Sequence, residues 1–242
     1  SAPSRVVRLD VRLAAEDQFS TTPGTTIALS PGGTHLIVAS AGLQDRRLLV
    51  RDLSRLETWP LTGSSTALRP FFSPDGNWVG FVNNAGRLQK VTLAGSPPVS
   101  IAPVGSIGDA SWGDRDVIVF NSLSDPGLFQ VAANGGTPVR LTQVDSARGE
   151  TDHRQPHVLP GGKAALFAVW SRSVADAQLA VVALETGEIR RLGIAGTSPQ
   201  FMFPGFLVYA TQQQALFAVP FDLEHLAVPG APVPVLARGV VK

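Results

Sequence analysis

The chain has 242 residues, 44% of them apolar, which suits one large all-β domain as well as two small ones and is too apolar for a disordered polypeptide. Its 20 basic and 19 acidic side chains leave a formal net charge of +1, so no general electrostatic attachment to nucleic acid or to an anionic membrane is expected. Cysteine is absent, which excludes disulfides, thiolate nucleophiles and cysteine-held zinc or iron–sulfur centres, and the longest apolar run, Ala164 to Trp170, is far too short to span a membrane.

From the N-terminus, the first expected element is a strand over 6–13, where Val7, Leu9, Val11 and Leu13 alternate with Arg8, Asp10 and Arg12, the period of a half-buried strand. It precedes any sheet of its own and is expected to complete a closing blade from the far terminus. A chain that begins at Ser1 and carries its single methionine at Met202 is expected to be a piece of a longer protein.

A phrase then recurs. It reads Leu29-Ser-Pro-Gly-Gly-Thr-His-Leu-Ile-Val38, then Phe72-Ser-Pro-Asp-Gly-Asn-Trp-Val-Gly-Phe81, with weaker copies over Ser111–Phe120, Val158–Phe167 and Phe203–Tyr209. The closing residues Val38, Phe81, Phe120, Phe167 and Tyr209 are spaced by 43, 39, 47 and 42. Each phrase is a strand, a tight turn and a returning strand: proline presets the turn φ and glycine accepts the positive φ a hairpin requires. A second hairpin follows each phrase, with Leu48–Leu53 leading to Trp59–Leu61, Leu88–Leu93 to Val99–Ile101, Leu128–Ala132 to Val139–Leu141, Leu179–Leu184 to Ile189–Leu192, and Leu216–Phe221 to Val233–Leu236.

Four-stranded units at this period are the signature of propeller blades, which bury both sheet faces only by stacking around an axis. The expected fold is therefore all-β, a single β-propeller domain over 1–242 built of four-stranded antiparallel blades. Five blades are expected over 25–61, 68–101, 108–141, 154–192 and 198–237, forming part of a six-bladed propeller with strand 6–13 in the closing blade. An open blade edge would invite self-association.

Phe72-Ser-Pro-Asp-Gly76 with Gly80-Phe81, Ala110-Ser-Trp-Gly113, and His153-Arg-Gln-Pro156 with Leu159-Pro-Gly-Gly162 resemble the TolB-like (WD40-like) propeller repeats of bacteria. The nearest resemblance is to the propeller on the C-terminal side of bacterial receptor-like serine/threonine kinases, whose pattern Leu216–Leu223 followed by Pro232-Val-Pro-Val235 also fits. The resemblance implies an extracytoplasmic, non-catalytic sensor or protein-binding platform whose partner is a protein or peptide and which needs no cofactor. Kinase motifs are absent, so kinase activity would belong to other sequence.

No Gly-x-Ser-x-Gly elbow, P-loop, dinucleotide fingerprint, His-Glu-x-x-His or EF-hand loop occurs, and no catalytic residue is expected in the chain. The alternative is a substrate-gating propeller of a prolyl-oligopeptidase-type serine hydrolase, which requires a nucleophile elbow beyond Lys242. A lyase or glycosidase would need two carboxylates, or a histidine with a metal, converging on the axis; Asp109 and Asp152 are the pair to examine. His153 and His157 are the only close histidine pair, but in a strand they stand about 13 Å apart and are not expected to share a metal. Asp75 reads as a turn former, and Trp59, Trp78 and Trp112 as core.

Strand direction separates two ends of such a propeller. The hairpin turns within each phrase are short, whereas the connections at the opposite end are long and polar, above all 142–155. Loops on a rigid scaffold are where binding concentrates, so the expected ligand-binding residues are Arg47, Arg69, Asp109, Asp152, His153, Arg154, Trp170 and Arg172, around the channel mouth.

Overall fold

The computed structural model describes residues 26–41, 46–55, 57–173 and 176–236; the strand expected over 6–13 lies outside them. Among the described residues twenty strands form five four-stranded antiparallel sheets, each running in chain order. The first sheet holds β1 (Ile27–Leu29), β2 (His35–Ala39), β3 (Leu48–Asp52) and β4 (Thr58–Pro60), the second β5 (Leu68–Phe72), β6 (Trp78–Val82), β7 (Arg87–Thr92) and β8 (Val99–Pro103). The third holds β9 (Ile107–Gly113), β10 (Val117–Ser122), β11 (Leu128–Ala132) and β12 (Val139–Arg140), the fourth β13 (Asp152–Val158), β14 (Ala164–Trp170), β15 (Gln178–Ala183) and β16 (Ile189–Ala195). The fifth holds β17 (Thr197–Met202), β18 (Phe206–Ala210), β19 (Leu216–Pro220) and β20 (Val233–Leu236).

The turns form for the reasons their residues suggest. In the second sheet the Gly76 amide donates to the Ser73 carbonyl at 2.9 Å with Gly76 at φ +73°, a conformation that costs glycine no Cβ clash. The Asp75 carboxylate accepts the Ser73 hydroxyl at 2.5 Å and the Asn77 amide at 3.0 Å. Those bonds favour the ionised form and lower its pKa, so Asp75 is a turn former here.

Stacking is read directly from strand alternation. Ile37 and Val50 of the first sheet meet Phe72 and Phe81 of the second, while Phe71 and Val82, one residue along, face Trp112 and Phe120 of the third. Val119 turns the other way, onto Phe167 and Ala180 of the fourth, and Leu166 and Val181 meet Leu207 and Tyr209 of the fifth. The aromatic residue that closes the second, third and fourth repeats is thus a wedge between neighbouring blades: Phe81, Phe120 and Phe167 are fully buried, and truncating any one to alanine costs about 3–5 kcal/mol.

The first strand of each sheet packs on that of the next, β1 on β5, β5 on β9, β9 on β13 and β13 on β17, so these strands line the axis. The described residues form five blades of a propeller, and among them no contact of comparable extent joins the fifth sheet to the first. Four lining strands slip register by a bulge, between Leu68 and Phe71, Ile107 and Ala110, Arg154 and His157, and Thr197 and Gln200. Three of these bulges, those of β5, β13 and β17, carry a non-glycine residue at positive φ (Arg69 +56°, Gln155 +57°, Ser198 +52°) followed by proline, which has no amide for the ladder to miss.

Candidate functional site

Because the first strands run antiparallel to the second, their starts share one end of the axis with the connections between second and third strands. Arg47 closes the connection before β3, Arg69 and Asp109 stand near the starts of β5 and β9, and Asp152, His153 and Arg154 open β13. Trp170 ends β14 and Arg172 follows it. All eight side chains expected at the channel mouth therefore belong to this end, but they play different parts.

Asp152 is buried and fully used. Its Oδ1 accepts the Gly127 amide at 3.2 Å and the His153 amide at 2.8 Å, and its Oδ2 accepts Arg154 Nε at 2.6 Å. That contact steers the Arg154 guanidinium over the Trp170 ring, 4.5 Å from its centroid. Trp170 itself packs on the core between the fourth and fifth sheets. The result is an arginine aligned by a carboxylate beneath and an aromatic ring behind, with 38% of its side chain still open to solvent. Such a guanidinium has lost much of its rotamer freedom before any ligand arrives, and its outer nitrogens suit a carboxylate or backbone carbonyl. Toward the second and third blades, burial pulls the Arg69 pKa below its usual value and the nearby Asp109 carboxylate opposes that pull. The Asp109 amide donates to Asn121 at 2.8 Å. A Cβ on the adjoining Gly108 would lie 2.2 Å from Asn121 Nδ2, so only glycine fits there. Arg172 is exposed.

His153 needs correcting as a ligand-facing residue. It is completely buried with both ring nitrogens engaged, Nδ1 with Thr142 Oγ1 at 2.8 Å and Nε2 with Glu150 Oε2 at 3.0 Å. Burial pushes its pKa down to about 4 against the pull of Asp152, so near neutral pH the ring donates from Nε2 to Glu150 and accepts from Thr142. Glu150, buried as well, also accepts the Asp145 amide at 2.8 Å and pairs with Arg191 of β16. The long connection before β13 is therefore tied down. Asp145 caps a 3-10 turn over Ser146–Arg148 and accepts the amides of Ala147 and Arg148. A Glu–His–Thr relay has the elements of a nucleophile and its base, but its hydroxyl is buried and already accepts the Leu128 amide at 2.9 Å, so this relay is structural.

Sequence reasoning missed Glu150, Thr142 and Arg191 as one unit. It also missed the lining bulges, for three of which a signal existed: Arg69-Pro, Gln155-Pro and Ser198-Pro recur at matching places in the repeat. Gln155 Oε1 accepts the Ser198 amide at 2.8 Å and Ser111 Oγ accepts the Val158 amide at 2.9 Å, joining neighbouring lining strands. Among the described residues no cluster of three or more histidine, aspartate or glutamate side chains is placed to hold a metal, and no helix is long and apolar enough to cross a membrane.

No family model matches the chain, and no curated protein matches it either. Solved structures do. The chain is similar to TolB from Acinetobacter baumannii at 17% identity and a TM-score of 0.63, over 82% of this chain and 51% of that one; it thus spans about half of that protein's length. It is similar to a putative TolB from Agrobacterium tumefaciens at 15% identity and a TM-score of 0.64, over 86% and 79% of the two chains. The β-propeller domain of Cps50 (Swd1) from Myceliophteria thermophila, at 15% identity and a TM-score of 0.64, is covered over 70% of its length by 87% of this chain. At these identities the likeness is one of fold: the chain has the architecture shared by TolB and WD40-type propellers.

Proposed function

We propose that this chain is a non-catalytic binding propeller that takes a protein or peptide at its channel mouth and serves outside the cytoplasm, as the sensor part of a receptor-like kinase or as a TolB-like scaffold. The observation that carries the reading is the Arg154 guanidinium, aligned by Asp152, backed by Trp170 and open to solvent on its outer side. Arginine and tryptophan in fixed geometry are the side chains that most often dominate protein interfaces. The acids beside it, Glu150 and Asp152, are occupied in holding the structure and are poorly placed for acid–base work. The repeat motifs that resemble the kinase-linked propellers supply the cellular setting.

The test is selection of a phage-displayed peptide library on the immobilised domain. Enrichment that vanishes with Arg154→Glu, while the melting temperature holds, supports the reading; absence of enrichment on the unaltered domain defeats it. The coding sequence on either side provides a separate check: a kinase and membrane helix before Ser1 fit the sensor role, whereas a Gly-x-Ser-x-Gly elbow after Lys242 would assign the chain to a hydrolase instead.

A further inference from the structure

The opposite end of the axis carries a second feature. The ends of β9, β13 and β17 converge there on a cleft of about 380 Å³. Trp112, Pro160, Phe201 and Phe203 wall it, and its polar groups are His157 and Asp114. Phe203 stands against Phe201, ring centroids 5.5 Å apart and nearly perpendicular, yet is 79% exposed. Beside it, Met202 and Phe206, opposite one another across β17 and β18, are exposed as well. Clustered apolar side chains of this size left in water mark a contact surface rather than scattered exposure.

We propose that this cleft binds an extended, proline-containing peptide segment, with a proline ring against the aromatic wall and a neighbouring peptide carbonyl accepting a hydrogen bond from His157. Three observations restrict the occupant. The cleft has the size and mostly apolar lining of a ligand site, and among the described residues no cation lines it, which disfavours phosphates and carboxylates. Its one carboxylate, Asp114, accepts the Gly161 amide at 2.5 Å and is partly satisfied. The His157 ring has no hydrogen-bond partner among the described residues, and burial pushes its pKa down to about 4, so at neutral pH it offers a ring N–H and a ring nitrogen to a ligand. An ordinary peptide residue lying against the aromatic wall, away from Asp114 and His157, would bury an amide without an acceptor, at a cost of about 1–3 kcal/mol. Proline has no amide to bury, and a polyproline II segment is already extended and loses little freedom on docking. The site is independent of the channel-mouth reading and can stand if that reading fails.

The experiment titrates decaproline, and a glycine–serine decapeptide of equal length, into the unaltered domain, following heat of binding and the ring NMR signals of His157. The expected result is saturable binding of decaproline alone that shifts the His157 signals, weakened about tenfold or more by Phe203→Asp and unchanged by Arg154→Ala. Phe203 is exposed, so the variant is expected to fold, and its melting temperature checks this. No saturation up to millimolar peptide, equal binding of the glycine–serine peptide, or full affinity in Phe203→Asp would each overturn the proposal.

Discussion

His153 and His157 stand four residues apart on one strand and mark two different ends of the axis. At the mouth, His153 is sealed between Thr142 and Glu150, and every carboxylate around it already has partners. At the turn end, His157 lines an aromatic cleft with no partner for its ring among the described residues. The mouth shows how a propeller prepares charge, by fixing an arginine through a buried carboxylate and an aromatic ring. The turn end shows apolar surface left uncommitted. Rigidity and availability are separate properties, and this strand places one at each of its ends.

The largest expected effect tests whether the mouth is held as described. Glu150→Ala leaves His153, Arg191 and the Asp145 amide without their shared acceptor and is expected to cost about 3–5 kcal/mol, read from the urea midpoint. A loss below about 1 kcal/mol would mean that the network does not fix this end.

The next test separates the ends by pH. Burial pushes both histidines down to about 4, whereas an unfolded imidazole titrates near 6.5. Between those values the unfolded chain binds more protons, so stability is complete above about pH 6.5 and falls as pH drops toward 4. His157→Phe should remove roughly half of that slope; an unchanged slope would assign the whole effect to the mouth. Asp52, Asp75 and Asp222, whose pKa values lie below the ordinary carboxylate value, act only at more acid pH.

Smaller still is the expected stability change in Arg154→Ala. The guanidinium is partly open to water, which can take its place on the Asp152 carboxylate, so the ion pair and the ring contact together are worth about 1 kcal/mol. A thermal melt that falls far more than this would recast Arg154 as a structural residue rather than a presented one.

The sheets were legible because their causes are local. Ser-Pro-Asp-Gly and its variants encode a turn within five residues, and apolar alternation encodes both faces of each strand. The expected five blades of four strands follow from that punctuation. The site was legible only in part. Trp170 and Arg154 sit where strand direction puts them, but nothing near Glu150 in sequence announces Arg191, 41 residues away, so that acid reads as a solvated loop residue. His153 reads as exposed because it ends a polar stretch, yet its ring lies 4.9 Å from that of Phe167. Counting by twos also fails across Gln155: on a regular strand His153 and His157 would share a face, and the bulge puts them on opposite ones. The aromatic cleft draws on three blades, and no single window of sequence contains it.

The unpaired residue at each bulge has a consequence for ancestry. Ladder pairing dictates the positions around it but not its own side chain, and three of the four blades that carry it read arginine, glutamine and serine at 69, 155 and 198. A lineage can therefore rewrite the chemistry of its lumen one repeat at a time, exchanging a cation for an amide or a hydroxyl, while the scaffold that displays it stays unchanged.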